Sequence, residues 1–180
     1  MNDGNGATDL ATVTIDIEPV NDAPVIIRDN LISNGDFSNG LVGWVATGTV
    51  VERDGTARFG GGNTPTDGVL SQTFDTIPGE TYEVSFEYDS TRQLREQTIQ
   101  AISVDDGSSN LLGEVVASTS TVPGKELLTF SFVAESTRST LTFTDTSAST
   151  SGVDGLLDNC LLYTSPSPRD QRGSRMPSSA

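Results

Sequence analysis

The chain has 180 residues, no histidine, one cysteine and a formal net charge of −15. Without histidine, Ser-His-Asp and Cys-His nucleophilic schemes and His-ligated zinc are excluded, and a lone cysteine forms no intrachain disulfide. So acidic a chain lacks the basic face that nucleic acid or an anionic membrane surface needs, and no apolar run approaches the ~20 residues of a membrane span.

The N-terminal "MNDGNGATDLATV" has neither a basic n-region nor an apolar h-region, so no signal peptide is visible. A composition rich in Thr, Ser, Gly, Asn and Asp, with few Lys, is expected of an all-β extracellular or cell-surface fragment whose export signal lies upstream. In "ATVTIDIE" (Ala11–Glu18), Val13, Ile15 and Ile17 alternate with Thr12, Thr14 and Asp16, the pattern of a half-buried strand. "PVNDAPV" follows and is extended, because each Pro biases its predecessor away from helix. One strand is no domain. Residues 1–24 therefore read as the end of a truncated repeat, and residues 25–30 as a linker.

Short strands are predicted next at Leu31–Ser33, Trp44–Thr47, Thr49–Arg53, Thr56–Phe59, Val69–Thr76, Thr81–Asp89, Gln97–Val104, Leu111–Thr119, Glu126–Ala134, Ser139–Asp145 and Leu156–Asn159. Turn signals such as "RDG", "IPGE", "DDGSSN" and "VPGK" separate them. Tyr82, Val84, Phe86 and Tyr88 share one face of their strand, and Glu83, Ser85 and Glu87 the other. Leu128, Phe130 and Phe132, and Leu141 and Phe143, alternate in the same way. One apolar face per strand predicts two antiparallel sheets packed over a single core, an all-β sandwich spanning residues 31–159.

Two segments carry family resemblances. "DGNGATDLATVTIDIEPVNDAPV" resembles the closing strand and linker of bacterial cadherin-like tandem repeats. "NLISNGDFSNGLVGW", "LSQTFDTIPGETYEVSFEY" and "DTSASTSGVDGLLDN" together resemble the galactose-binding-like jelly roll of carbohydrate-binding modules of the family 4/9 type, and the related DUF642 and choice-of-anchor sandwiches. The resemblance implies a non-catalytic, extracellular glycan-binding module within a large bacterial protein. Two alternatives stand beside it: a calcium-stiffened stalk module without a glycan site, and an accessory domain of a glycoside hydrolase. Residues 160–180, beginning "CLLYTSPSPRD", resemble a translated sequencing-library adapter. They are expected to be foreign and disordered, with "CLLY" apolar enough to carry the last strand to about Leu162 or Tyr163.

Calcium is implied by both resemblances. The linker positions Asn21 and Asp22, with Glu18, match the ligands that adjoining cadherin-like repeats share; the alternative is a plain extended linker. In jelly rolls of this kind a structural calcium joins the first and last strands, and the matching positions are Gly35–Ser38 and Asp158. The family commonly has Glu where this chain has Ser38, which leaves Asp36 and Asp158 as the acidic candidates. Asp158 also fits a turn residue bonded to its own backbone.

A sugar-binding face needs a ring-shaped apolar platform and planar polar groups for the hydroxyls. Trp44 and Tyr88 are the candidate platforms, and Arg92, Arg95, Gln97 and Gln100 the polar candidates, near Glu83, Ser85 and Glu87. Trp44 in "GLVGW" also fits a residue that caps the core, and "STRQLREQ" fits a solvated loop. Glycosidase chemistry needs paired carboxylates. Glu83 and Glu87, four residues apart on one strand, are about 13 Å apart, too far for that.

Overall fold

A computed structural model describes residues 29–60, 66–92, 96–119, 125–149 and 152–165. The strand at Ala11–Glu18, Asn21, Asp22, Arg95 and the tail from residue 166 onward lie outside the described residues.

The described chain forms β1 (Val45–Thr47), β2 (Val50–Arg53), β3 (Thr56–Phe59), β4 (Val69–Asp75), β5 (Thr81–Ser90), β6 (Thr98–Asp105), β7 (Leu111–Ser118), β8 (Glu126–Val133), β9 (Arg138–Asp145) and β10 (Gly155–Thr164). They pair antiparallel into two five-stranded sheets, ordered β1-β4-β9-β6-β7 and β2-β3-β10-β5-β8. This is the expected all-β jelly-roll sandwich. Alternation drives it: Tyr82, Val84, Phe86 and Tyr88 of β5 are all buried, and across the sandwich so are Ile99, Ala101, Leu141 and Phe143. The sheets interlock through Phe86, whose ring meets Phe143 edge-on at 5.0 Å. Each large aliphatic or phenylalanine side chain among these contributes about 1.5–3 kcal/mol on burial.

Two predicted elements differ. Leu31–Ser33 is not a strand; residues 31–43 form a run of turns. The Asn30 carboxamide oxygen accepts the N–H groups of Ile32 and Leu162, at 3.1 and 2.8 Å, a side-chain bridge that replaces a strand ladder. Positive φ at Asn34 and Phe37 then turns the chain so that Phe37 is fully buried. Gly35 lies against the last strand so closely that a Cβ there would come within 2.0 Å of the Cys160 carbonyl oxygen.

The last strand also does not end at Asn159. β10 runs to Thr164, in the middle of its sheet, with Leu161–Thr164 pairing with Tyr82–Ser85 beyond a bulge that follows Asp158. Cys160 and Leu162 point into the core with no exposure. Order thus reaches Thr164, a residue or two past the Leu162 or Tyr163 to which "CLLY" was expected to carry the strand. The cause is local: "NCLLYT" supplies apolar side chains with the strand's own alternation.

Candidate functional site

Each sheet turns one face to solvent, and the two faces differ in what their polar groups already bind. On the sheet containing β5, Glu87 accepts a hydrogen bond from Asn159 Nδ2 at 2.9 Å and pairs with Lys125 at 3.2 Å. The same ammonium pairs with Asp158. The Asn159 bond, with Lys125 behind it, holds the Glu87 carboxyl below its ordinary range, and Asp158 foremost holds the Lys125 ammonium above its own. These groups satisfy one another. Half-buried Tyr163 also lies on this face, beside Glu83.

The outer face of the other sheet is open. Register places its side chains in rows across the strands. Thr47, Val69, Thr144, Gln100 and Val116 form one row. Val45, Ser71, Thr142, Ile102 and Glu114 form the next. Thr73, Thr140, Val104 and Leu111 form a third. Gln100 Nε2 donates to Glu114 Oε1 at 2.6 Å, diagonally across β6 and β7. The Thr73 and Thr140 hydroxyls bond each other at 2.9 Å. Around these polar groups, Val45 and Val116 are 65% and 57% exposed. Arg138 is the one cation on this face among the described residues, and it is paired with Asp75 and Asp106. Leu111 continues the face into a groove of about 340 Å³ at the β7–β8 edge, lined also by Leu112, Phe132 and Val133.

Five strands about 4.8 Å apart make this a strip roughly 19 Å across. Hydroxyls, one amide–carboxylate pair and aliphatic side chains alternate along it. Glu114 was not among the sequence candidates. Its signal was the alternation of Glu114, Val116 and Ser118 with Val115 and Ala117.

Most sequence-selected residues lie elsewhere. Trp44 is 8% exposed: its indole N–H donates to the Asn34 carbonyl at 3.1 Å, and its ring packs on Phe37 and Phe143. It closes the core and offers no platform. Tyr88 is 2% exposed, in register with Tyr82 and Phe86, and burial pushes its hydroxyl pKa far up, with the charge of Asp145 adding to this. Gln97 is fully buried and ties loops together, donating from Nε2 to the carbonyls of Glu96 and Ser149. Arg92 is exposed beyond β5, where its carbonyl accepts from Ser90 Oγ. Of Trp44, Tyr88, Arg92, Gln97 and Gln100, Gln100 alone stands on an outer sheet face.

The expected calcium junction is formed as backbone: Cys160 N donates to Gly35 O at 2.9 Å, joining the first segment to the last strand. Its acids do not make a cage. Asp36 is solvent-exposed and bonds Ser38, which holds its carboxyl below the ordinary range. Asp158 Oδ2 faces the Lys125 ammonium and Oδ1 accepts from Asn159 N. Among the described residues no group of three or more His, Cys, Asp or Glu could hold a metal ion. The residues at this junction do not fit calcium as arranged.

The fold is that of carbohydrate-binding modules. A solved CBM4 structure superposes with a TM-score of 0.58 at 14% identity, covering 74% of this chain and 99% of that one. TmCBM61, solved in complex with β-1,4-galactotriose, gives 0.56 at 18% identity, covering 76% and 99%. The CBM22-1 xylan-binding domain of Paenibacillus barcinonensis Xyn10C gives 0.56 at 16% identity, covering 78% and 97%. No family model matches the sequence, and no curated protein matches it. Among the described residues no helix is long and apolar enough to cross a membrane.

Proposed function

We propose that the chain is a non-catalytic, extracellular carbohydrate-binding module of a larger bacterial protein, and that it holds an uncharged glycan across the outer face of the sheet β1-β4-β9-β6-β7. The carrying observation is the Gln100–Glu114 pair, set among threonine hydroxyls and the exposed aliphatic chains of Val45 and Val116. Sugar rings present C–H patches to aliphatic surface, and their hydroxyls pair with amides and carboxylates. The partners of the superposed modules, galactotriose and xylan, support the ligand class. The charge pattern supports an uncharged one: the face carries Glu114, and its arginine is already paired.

Affinity electrophoresis of the full chain in gels of xylan, galactan and β-glucan, with alginate as the acidic comparison, tests this. Retardation is expected in a neutral gel and not in alginate. Gln100→Ala and Glu114→Ala should each weaken binding about tenfold, the loss of one hydrogen bond to a charged or ligand-held group, with melting temperature unchanged. No retardation by any neutral polysaccharide would overturn the proposal and leave the stalk role.

A further inference from the structure

A second polar cluster lies inside the core, at the end of the sandwich where β5 and β9 finish and β6 and β10 begin. Asp145 is 4% exposed. Its Oδ1 accepts the Ser147 N–H at 2.9 Å, and its Oδ2 has no partner. Tyr88 projects from the opposite sheet toward the same end, with its hydroxyl against Gly155, where a Cβ would come within 2.3 Å of it. That hydroxyl lies close to Ser147 and within the field of Asp145, yet completes no hydrogen bond. Gln97 is fully buried beside them: Ser147 Oγ accepts from the N–H of Thr98, the next residue, and Asp145 pairs with Ile99. Both Gln97 Nε2 hydrogens are used on backbone carbonyls, and Oε1 has no partner.

Buried polar atoms without partners are few in native proteins, and each calls for an explanation such as an ordered water or an ion. A buried carboxylate without a counter-charge is costlier still. No described cation supplies one. Arg53 and Arg58 pair with Asp54, Lys125 with Glu87 and Asp158, and Arg138 with Asp75 and Asp106. Arg92 is exposed in a loop. At this end of the core a carboxylate oxygen, an amide oxygen and a phenol oxygen each lack a partner. The carboxylate and amide oxygens are ligands that a hard cation takes, with backbone carbonyls and water completing its shell.

We infer that the loop end of the core binds a hard metal cation of the calcium type, held by Asp145 Oδ2, Gln97 Oε1 and Tyr88 Oη. The site is separate from the Gly35–Cys160 junction and from the glycan face, so it stands or falls independently of the proposed function.

The test is thermal unfolding of the full chain in chelator-treated buffer, with CaCl2, MgCl2 or NaCl added. A ligand that binds only the folded state raises its melting temperature, by about 5 °C or more at a hundredfold excess over its dissociation constant. The rise is expected with CaCl2, unchanged in Asp158→Asn and abolished in Asp145→Asn. A rise with NaCl alone would assign the site to a monovalent ion of the same chemistry. No rise with any salt, or a calcium rise that survives Asp145→Asn, overturns the inference in favour of a buried water. Should Asp145→Asn fail to fold, terbium luminescence excited through tyrosine decides. Saturable emission that calcium displaces, and that falls several-fold in Tyr88→Phe, supports the site; no emission, or equal emission in the variant, overturns it.

Discussion

Replacing Trp44 with alanine separates a core residue from a sugar platform. The indole is 8% exposed, packs on Phe37 at 5.5 Å and Phe143 at 6.1 Å between ring centroids, and donates one hydrogen bond to Asn34. Truncating a buried aromatic of this kind costs about 3–5 kcal/mol, from lost transfer energy and the cavity left behind. At roughly 2–4 °C per kcal/mol for a chain of this size, the melting temperature should fall by about 10 °C. Trp44→Phe keeps one ring but removes the N–H donor, and should cost about 1–2 kcal/mol. Urea unfolding followed by far-ultraviolet circular dichroism measures both, since the variants lack the only tryptophan. In the folded fraction, glycan affinity should match the parent. A Trp44→Ala chain that loses under about 1 kcal/mol but no longer binds polysaccharide would refute this placement.

Gly35→Ala should destabilise by several kcal/mol or prevent folding, because the Cys160 carbonyl that the new Cβ would strike is backbone in a central strand; calorimetry reads the loss. Tyr88→Phe in metal-free buffer should be near neutral or slightly stabilising by urea titration, since the hydroxyl it removes has no partner. Cys160 is fully buried, and that burial, with the charge of Asp158, holds its thiol well above the ordinary range, so a thiol reagent should label it only on unfolding. Glu87 has its folded pKa lowered from 4.5, so its contribution to stability is complete above that pH and is lost as pH falls through the lower folded value. Glu87→Gln should therefore flatten part of the acid limb of the stability-versus-pH curve.

The sandwich was legible because period-two alternation fixes which side of each strand is buried, and "TYEVSFEY" carries that pattern undiluted. The same alternation already put Tyr88 on the apolar face with Phe86, so its selection as a platform set residue type against position, and position prevailed. The turns at residues 31–43 were hidden because side chains organise them: Asn34 bonds Asn39 N, Gly40 O and Val42 O, and Asn30 ties the segment to Leu162, 132 positions away. The length of β10 was legible to within a residue or two, because "CLLY" carries the strand's apolar alternation whatever its origin, and burial responds only to side chains. Gln97 looked like a surface amide, but its Nε2 donates to two backbone carbonyls and its own N–H to Thr119 Oγ1, which holds it in the core. The open face itself is a product of cross-strand register. Gln100 and Glu114 are 14 residues apart and meet only because β6 and β7 pair as they do.

Amide chemical-shift mapping tests directly whether the outer face of β1-β4-β9-β6-β7 holds the glycan. Titrating a labelled full-length chain with a neutral oligosaccharide that retards it in gels should move the amides of Gln100, Ile102, Glu114, Val116, Thr142 and Thr144 together, and leave Glu83, Ser85 and Thr129 still. Shifts concentrated on Glu83, Ser85 and Thr129, on the opposite sheet, would contradict the account.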